Sequence, residues 1–259
     1  MKKIIVLLFS LLLLVSCGGE KIDGGNVDDI KERGYIVVAM EGTWAPWTYH
    51  NEKDELVGYD VEVGKVIADY LGVDVKYVEG EWDGLLSGVE AGRYDLMING
   101  CGITEDREKS YDFSIPYAYD IIAVITKTDN DDIKTMEDLK DKKTANTITS
   151  TYANIAVNYG AEVSGVDDLN QTFLLLDRGD IDATLNAIVA YNDYMKANPN
   201  ADFKIACLYE KSQPLGIAMK KGSSELKKLV DEAVKKAHED GKLSELSNKY
   251  FDLDISKID

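Results

Sequence analysis

The chain has 259 residues, of which 47 are acidic and 29 basic, leaving a formal charge of −18 at pH 7. Hydrophobic residues at 45% and aromatics at 9% supply material for a core and exclude a disordered acidic tail. So acidic a surface repels the phosphates of nucleic acid, and three cysteines without a CxxC pair exclude both a disulfide scaffold and the commonest zinc spacing.

Lys2 and Lys3 precede an almost unbroken apolar run from Ile4 to Val15. The run is too short for a comfortable transmembrane span and has the charged start of an export signal, predicted over 1–16. Leu14-Val15-Ser16-Cys17 resembles the lipobox of bacterial lipoproteins. That resemblance implies lipidation of Cys17, a lipid-anchored tether over 17–28 that opens with Gly18-Gly19-Glu20, and export to the outer face of the cytoplasmic membrane. The alternative is an ordinary signal peptide with an incidental cysteine. No later segment reaches transmembrane length.

Beyond the tether, short β-rich runs alternate with amphipathic helices. Tyr35 to Met40 reads as a buried strand, and Val63, Val66, Ile67, Tyr70 and Leu71 fall on one helical face. A strand at Asp74–Glu79, a helix from about Trp82 to Ala91 and a strand at Asp95–Ile98 complete a β-α-β-α-β order, the signature of an α/β fold with a mostly parallel sheet. Near the end, Leu226, Leu229, Val230, Ala233, Val234 and Ala237 form a further stripe, expected to pack in a core. The segments Gly92 to Asn99 and Gly179 to Asn186 share the pattern GxxDxxxN, each after an apolar helical run. Two similar α/β lobes explain the echo, and coincidence is the alternative, because helix, glycine, strand is a common sequence of elements. With ligands of open α/β sheets bound at the carboxyl ends of strands, Asn99 and Asn186 become candidate contacts.

Gly42 to Trp47, Leu56 to Val61, Trp82 to Leu86, Gly102 to Arg107 and Asp112 to Tyr117, in this order, resemble the bacterial solute-binding proteins that serve ABC transporters for polar amino acids. The resemblance covers nearly the whole mature chain. It implies a two-lobe periplasmic-binding-protein-like fold, its ligand cleft between lobes joined by two crossover strands. Lobe one is expected at 29–120 plus 214–259 and lobe two at 121–213, with crossovers near 119–122 and 213–216.

By the same resemblance Arg107 grips a ligand carboxylate, a task suited to a guanidinium fork that stays charged. Taken alone, it reads as a surface arginine paired with Glu105 or Asp106. Ser150 and Thr151, opening a helix, match small hydroxyl residues that face the same carboxylate, although Ser150 also fits an N-cap. Trp44 and Trp82 match the walls around the ligand's side chain, and Glu41 matches an acidic position that reads its polar end. Asn99, Gly100 and Gly102 match the strand-end segment, while Trp47 matches an aromatic packed inside lobe one. One departure bears on the solute: the acid that commonly pairs with the ligand's ammonium is replaced by Ala187, and the hydroxyl common at Gly102 is gone. An ammonium buried without its partner costs roughly 3–5 kcal/mol, so either another acid such as Glu41, or Asn186 with backbone carbonyls, takes the amino group, or the solute is not a simple α-amino acid.

His50 and His238 show no metal spacing, and Gly100-Cys101-Gly102-Ile103-Thr104-Glu105 lacks the last glycine of a nucleotide loop. Neither a metal nor a cofactor is expected. Cys101 and Cys207 could pair in an exported protein, but the implied lobes place them apart and they read as two buried thiols. The chain is therefore expected to act as a monomeric, lipid-anchored receptor that passes an amino acid or related small carboxylate to an ABC transporter permease. Two alternatives stand beside it: a dehydratase-like enzyme on the same scaffold, with Glu41 as its evident acid or base, and a sensor that signals to a partner receptor.

Overall fold

The computed structural model describes residues 24–257. The export signal and Cys17 lie outside the described residues, as does the first part of the tether. Val27 and Asp28, expected at the tether's end, already belong to α1 (Val27–Arg33), because Asn26 Oδ1 accepts from the Asp28 and Asp29 amides and caps the helix there.

The first lobe runs through β1 (Tyr35–Met40), β2 (Thr43–Trp44), β3 (Thr48–His50), β4 (Leu56–Val57), α2 (Tyr59–Leu71), β5 (Asp74–Glu79), α3 (Trp82–Glu90) and β6 (Leu96–Met97). It continues through α4 (Glu105–Ser110), β7 (Tyr111–Phe113) and β8 (Ala118–Asp120). An unbroken apolar run suits a strand covered on both faces, and β1 pairs in parallel with β5 on one side and β6 on the other. On α2, Val63 and Ile67 are buried as the spacing predicts, but Tyr70 is exposed, its hydroxyl donating to Glu232 at 3.2 Å. The buried face instead begins at the first turn, where the Tyr59 ring packs 5.0 Å from Phe251 and 5.8 Å from Trp47.

The second lobe follows with β9 (Ile122–Lys127), β10 (Lys143–Asn146), α5 (Thr151–Asn158), β11 (Glu162–Gly165), α6 (Leu169–Arg178), β12 (Thr184–Ala187), α7 (Ile188–Ala197) and β13 (Phe203–Leu208). The chain then returns through β14 (Gln213–Leu215) to β15 (Ala218–Lys220), α8 (Ser224–Glu239) and α9 (Lys242–Phe251). β15 completes the first lobe's sheet in the order β5-β1-β6-β15-β7, and α8 buries Leu226, Val230, Ala233, Val234 and Ala237 while Leu229 is half-buried. The two crossover strands β8 and β14 pair antiparallel, Asp120 opposite Gln213 and Ala118 opposite Leu215.

The GxxDxxxN echo has a structural cause. In both lobes the order is β-α-β-α-β: β1, α2, β5, α3, β6 in the first, and β10, α5, β11, α6, β12 in the second. As β1 lies between β5 and β6, so β10 pairs in parallel with β11 and meets the start of β12 through the Thr144–Ala183 bridge. The aspartate of each echo locks the last strand onto the first. Asp95 donates its amide to the Val37 carbonyl (3.1 Å) and accepts the Val37 amide at Oδ2 (2.7 Å). Asp182 makes the same pair with Lys143, both bonds at 2.8 Å. Each asparagine then falls at the carboxyl end of its strand, where the lobes face each other.

Candidate functional site

Between the lobes lies a cavity of about 640 Å³, counting its open mouth. Trp44 forms one wall. Its ring stacks on the buried Trp47 at 5.1 Å and 12°, and its indole Nε1 crosses the cleft to donate to Asn186 Oδ1 at 3.2 Å. The backbone beneath is Gly100, at φ +54, where a Cβ would fall 2.5 Å from the Trp44 ring. Asp60, fully buried under this segment, accepts the Gly100 amide and the Tyr117 hydroxyl, both at 2.8 Å.

Glu41 follows β1 and also lines the cavity. Asn99 holds it from both sides, accepting its amide at 2.7 Å and donating to its Oε2 at 2.6 Å. Surrounding protein desolvates the Glu41 carboxyl and pushes its pKa up to about 7, with Asn99 opposing and Asp168 and Asp83 adding to the rise. Asn99 itself is fully buried and positions Glu41 without lining the cavity.

Trp82 supplies the other aromatic wall, its Nε1 donating to Thr149 Oγ1 of the second lobe at 3.0 Å. Ser150 caps α5 by accepting the Ala153 amide at 3.1 Å, and it lines the cavity together with Thr151. Gly102 lines it too, and a Cβ there would fall 2.9 Å from Thr151 Oγ1, so the missing side chain is what lets the lobes approach.

Arg107 stands one layer out, in a groove that adjoins the cavity at Thr151 and Gln213. Its guanidinium donates to the Gly102 carbonyl at 2.8 Å, to Thr151 Oγ1 at 3.2 Å and to the Thr149 carbonyl at 2.9 Å, and it lies 5.2 Å over the Trp82 ring. Thr149 is thus a node on which Arg107, Trp82 and Asp83 of the first lobe all converge.

Several lining residues went unread in the sequence. Asp120, on crossover strand β8, is 3% exposed, and Tyr152 donates to its Oδ2 at 2.7 Å. Burial pushes its pKa up to about 7, opposed by the Tyr152 hydroxyl and the adjacent Ile121 amide. Asn146 ends β10, and Asp168 caps α6 by accepting the Gln171 amide at 2.9 Å. The clue to Asp120 was a carboxylate inside an otherwise apolar hinge strand; Asp168 looked like an ordinary N-cap, which it also is. Cys101 is buried as expected and Cys207 only half so, and both are free thiols. Among the described residues no group of three or more His, Cys, Asp or Glu is placed to hold a metal ion, and no helix is long and apolar enough to cross a membrane.

The sequence profile of the bacterial extracellular solute-binding proteins, family 3, matches residues 36–253. L-cystine-binding protein TcyA of Bacillus subtilis is 39% identical, over 99% of this chain and 100% of its own. An ancestral arginine-binding protein bound to arginine is 35% identical with a TM-score of 0.79, over 85% of this chain and 99% of that one. The L-cystine solute receptor of Neisseria gonorrhoeae, unliganded and open, is also 35% identical, with a TM-score of 0.61 over 90% of this chain and 100% of that one.

Proposed function

The chain belongs to the bacterial extracellular solute-binding proteins, family 3, and we propose that it captures an amino acid or related small carboxylate and delivers it to the permease of an ABC importer. The observation that carries this reading is a single cavity walled by both lobes, with Trp44 and Glu41 on one side and Ser150, Thr151 and Asn186 on the other. A solute that touches both walls binds the closed form better than the open one and shifts the hinge by that difference in affinity. Such capture needs no covalent step, so the protein is read as a receptor and not an enzyme. Lipidation of Cys17 would keep a monomeric receptor beside its permease, with lobes at 29–120 plus 214–259 and at 121–213.

Arg107 is assigned to the solute's carboxylate. From the rim it reaches the α5 N-terminus, and exchanging the Thr149 carbonyl for a carboxylate would keep its fork paired. The test is calorimetric titration of Arg107→Ala with amino acids that bind the wild type. Binding is expected to vanish while circular dichroism stays that of the wild type. Undiminished affinity removes Arg107 from the site.

A further inference from the structure

The cavity wall carries charge of one sign. Glu41, Asp120 and Asp168 line it, and among the described residues no lysine or arginine does. Two lining side chains, each more than nine-tenths buried, also hold an oxygen with no hydrogen-bond partner at bonding distance, Oδ1 of Asp120 and Oδ1 of Asn146, although the adjacent Ile121 amide still favours the ionised Asp120. Their remaining polar atoms are engaged. Asp120 Oδ2 takes the Tyr152 hydroxyl, while Asn146 Nδ2 donates to the Leu185 carbonyl at 2.8 Å and to Thr184 Oγ1 at 3.3 Å. The Thr184 hydroxyl donates onward to the Ala145 carbonyl, which fixes the Asn146 amide with its oxygen as the free end. A buried acceptor without a donor is costly, so the complement of this wall is a group rich in N–H.

We propose that Asp120 receives the ammonium or guanidinium group of the solute, with Asn146 Oδ1 as a second acceptor, and that the site thereby selects amine-bearing solutes of positive charge. This assignment rests on the solute-binding reading and answers its open question. Ala187, at the position where the resemblance implies an acid, is fully buried and carries no charge, and its amide is taken by Asn186 Oδ1 at 2.9 Å. The acid has a substitute on the hinge. Tyr152 holds Oδ2 of Asp120, no protein group stands at hydrogen-bond distance of Oδ1, and Asp120 lies opposite Gln213 where the two crossovers pair. The cation therefore sits by the hinge, and closure adds the acceptors of the second lobe.

The experiment is calorimetric titration of the purified protein with L-arginine, L-lysine, L-cystine, L-glutamine, L-glutamate and the amine-free glutarate. Arginine or lysine is expected to bind most tightly and glutarate not at all. Asp120→Asn should weaken the best probe at least about 100-fold, the loss expected when a buried charge pair is broken. The variant is isosteric and removes a buried charge, so its melting temperature without solute should not fall at pH 8. Affinity in Asp120→Asn within about threefold of wild type, or any of the other four probes binding more tightly than both arginine and lysine, overturns the assignment. The glutarate and glutamate arms use the wild type alone and decide the matter even where the variant misfolds. A wild type that binds none of the six overturns this assignment, whereas the solute-binding reading falls only if no amino acid or analogue in the wider screen binds.

Discussion

Trp44 and Asn186, far apart in sequence, join the two lobes directly, the indole Nε1 donating to the amide Oδ1 at 3.2 Å. The same tryptophan is a cavity wall, so one side chain both contacts the solute region and fastens the closed form. Trp44→Phe keeps an aromatic wall but removes the donor, and a hydrogen bond of this kind contributes about 1 kcal/mol. Solute affinity should drop about fivefold, with little change in the urea midpoint without solute. An unchanged affinity would show that the bond does not help closure.

Gly100 sets how closely the Trp44 ring approaches the strand end. Its φ of +54 and the 2.5 Å separation of a built Cβ from that ring leave Gly100→Ala no unstrained solution. The left-handed backbone alone costs about 1–2 kcal/mol, and the displaced ring adds to it. Urea denaturation should show a loss of at least about 1 kcal/mol, together with weaker solute binding. A variant as stable as wild type would mean that Trp44 moves aside freely.

The two halves of the fold were legible because their cause is local and repeated. Apolar strands alternate with helices whose stops are glycines, and Asp95 and Asp182 recur because each bonds back to the first strand of its own unit. Trp44, Trp82, Gly100, Gly102, Ser150, Thr151, Glu41 and Asn186, singled out in the sequence as candidate ligand contacts, all line the cavity. What stayed hidden depends on the lobes meeting. Asp120 becomes a cavity residue through its pairing with Tyr152 on α5, and Arg107 reaches the rim through contacts with Thr149 and Thr151. Neither contact leaves a periodic trace. Tyr70 fitted the helical spacing yet faces solvent, because the buried face of α2 is set by the aromatic cluster at Tyr59, Trp47 and Phe251.

Three carboxyls make stability depend on pH with a definite sign. Burial pushes Glu41, Asp60 and Asp120 up to about 7, from ordinary values of 4.5, 3.8 and 3.8. Between about pH 4 and 7 the folded protein therefore binds more protons at these groups than the unfolded chain. Their contribution to stability is complete below the lower limit, declines as pH rises through 7 and is level above it. Urea midpoints measured without solute from pH 5 to 8 should fall, and Asp120→Asn should lessen the fall. Over the same interval affinity for a cationic solute should rise, because ionised Glu41 and Asp120, which line the cavity, attract it. A solute affinity that instead falls from pH 5 to 8 would exclude these two acids as its partners.

The central claim, capture of a small amino-acid-class solute between two lobes, is tested most directly by a thermal-shift screen of the purified protein against amino acids and their amine-free analogues. A solute at 100 times its dissociation constant stabilises the folded state by about 2.7 kcal/mol, which for a protein of this size raises the melting temperature by roughly 5–10 °C. The account predicts such a shift for at least one amino acid with the wild type, and its loss in Arg107→Ala. A wild type that no amino acid or analogue stabilises would contradict it.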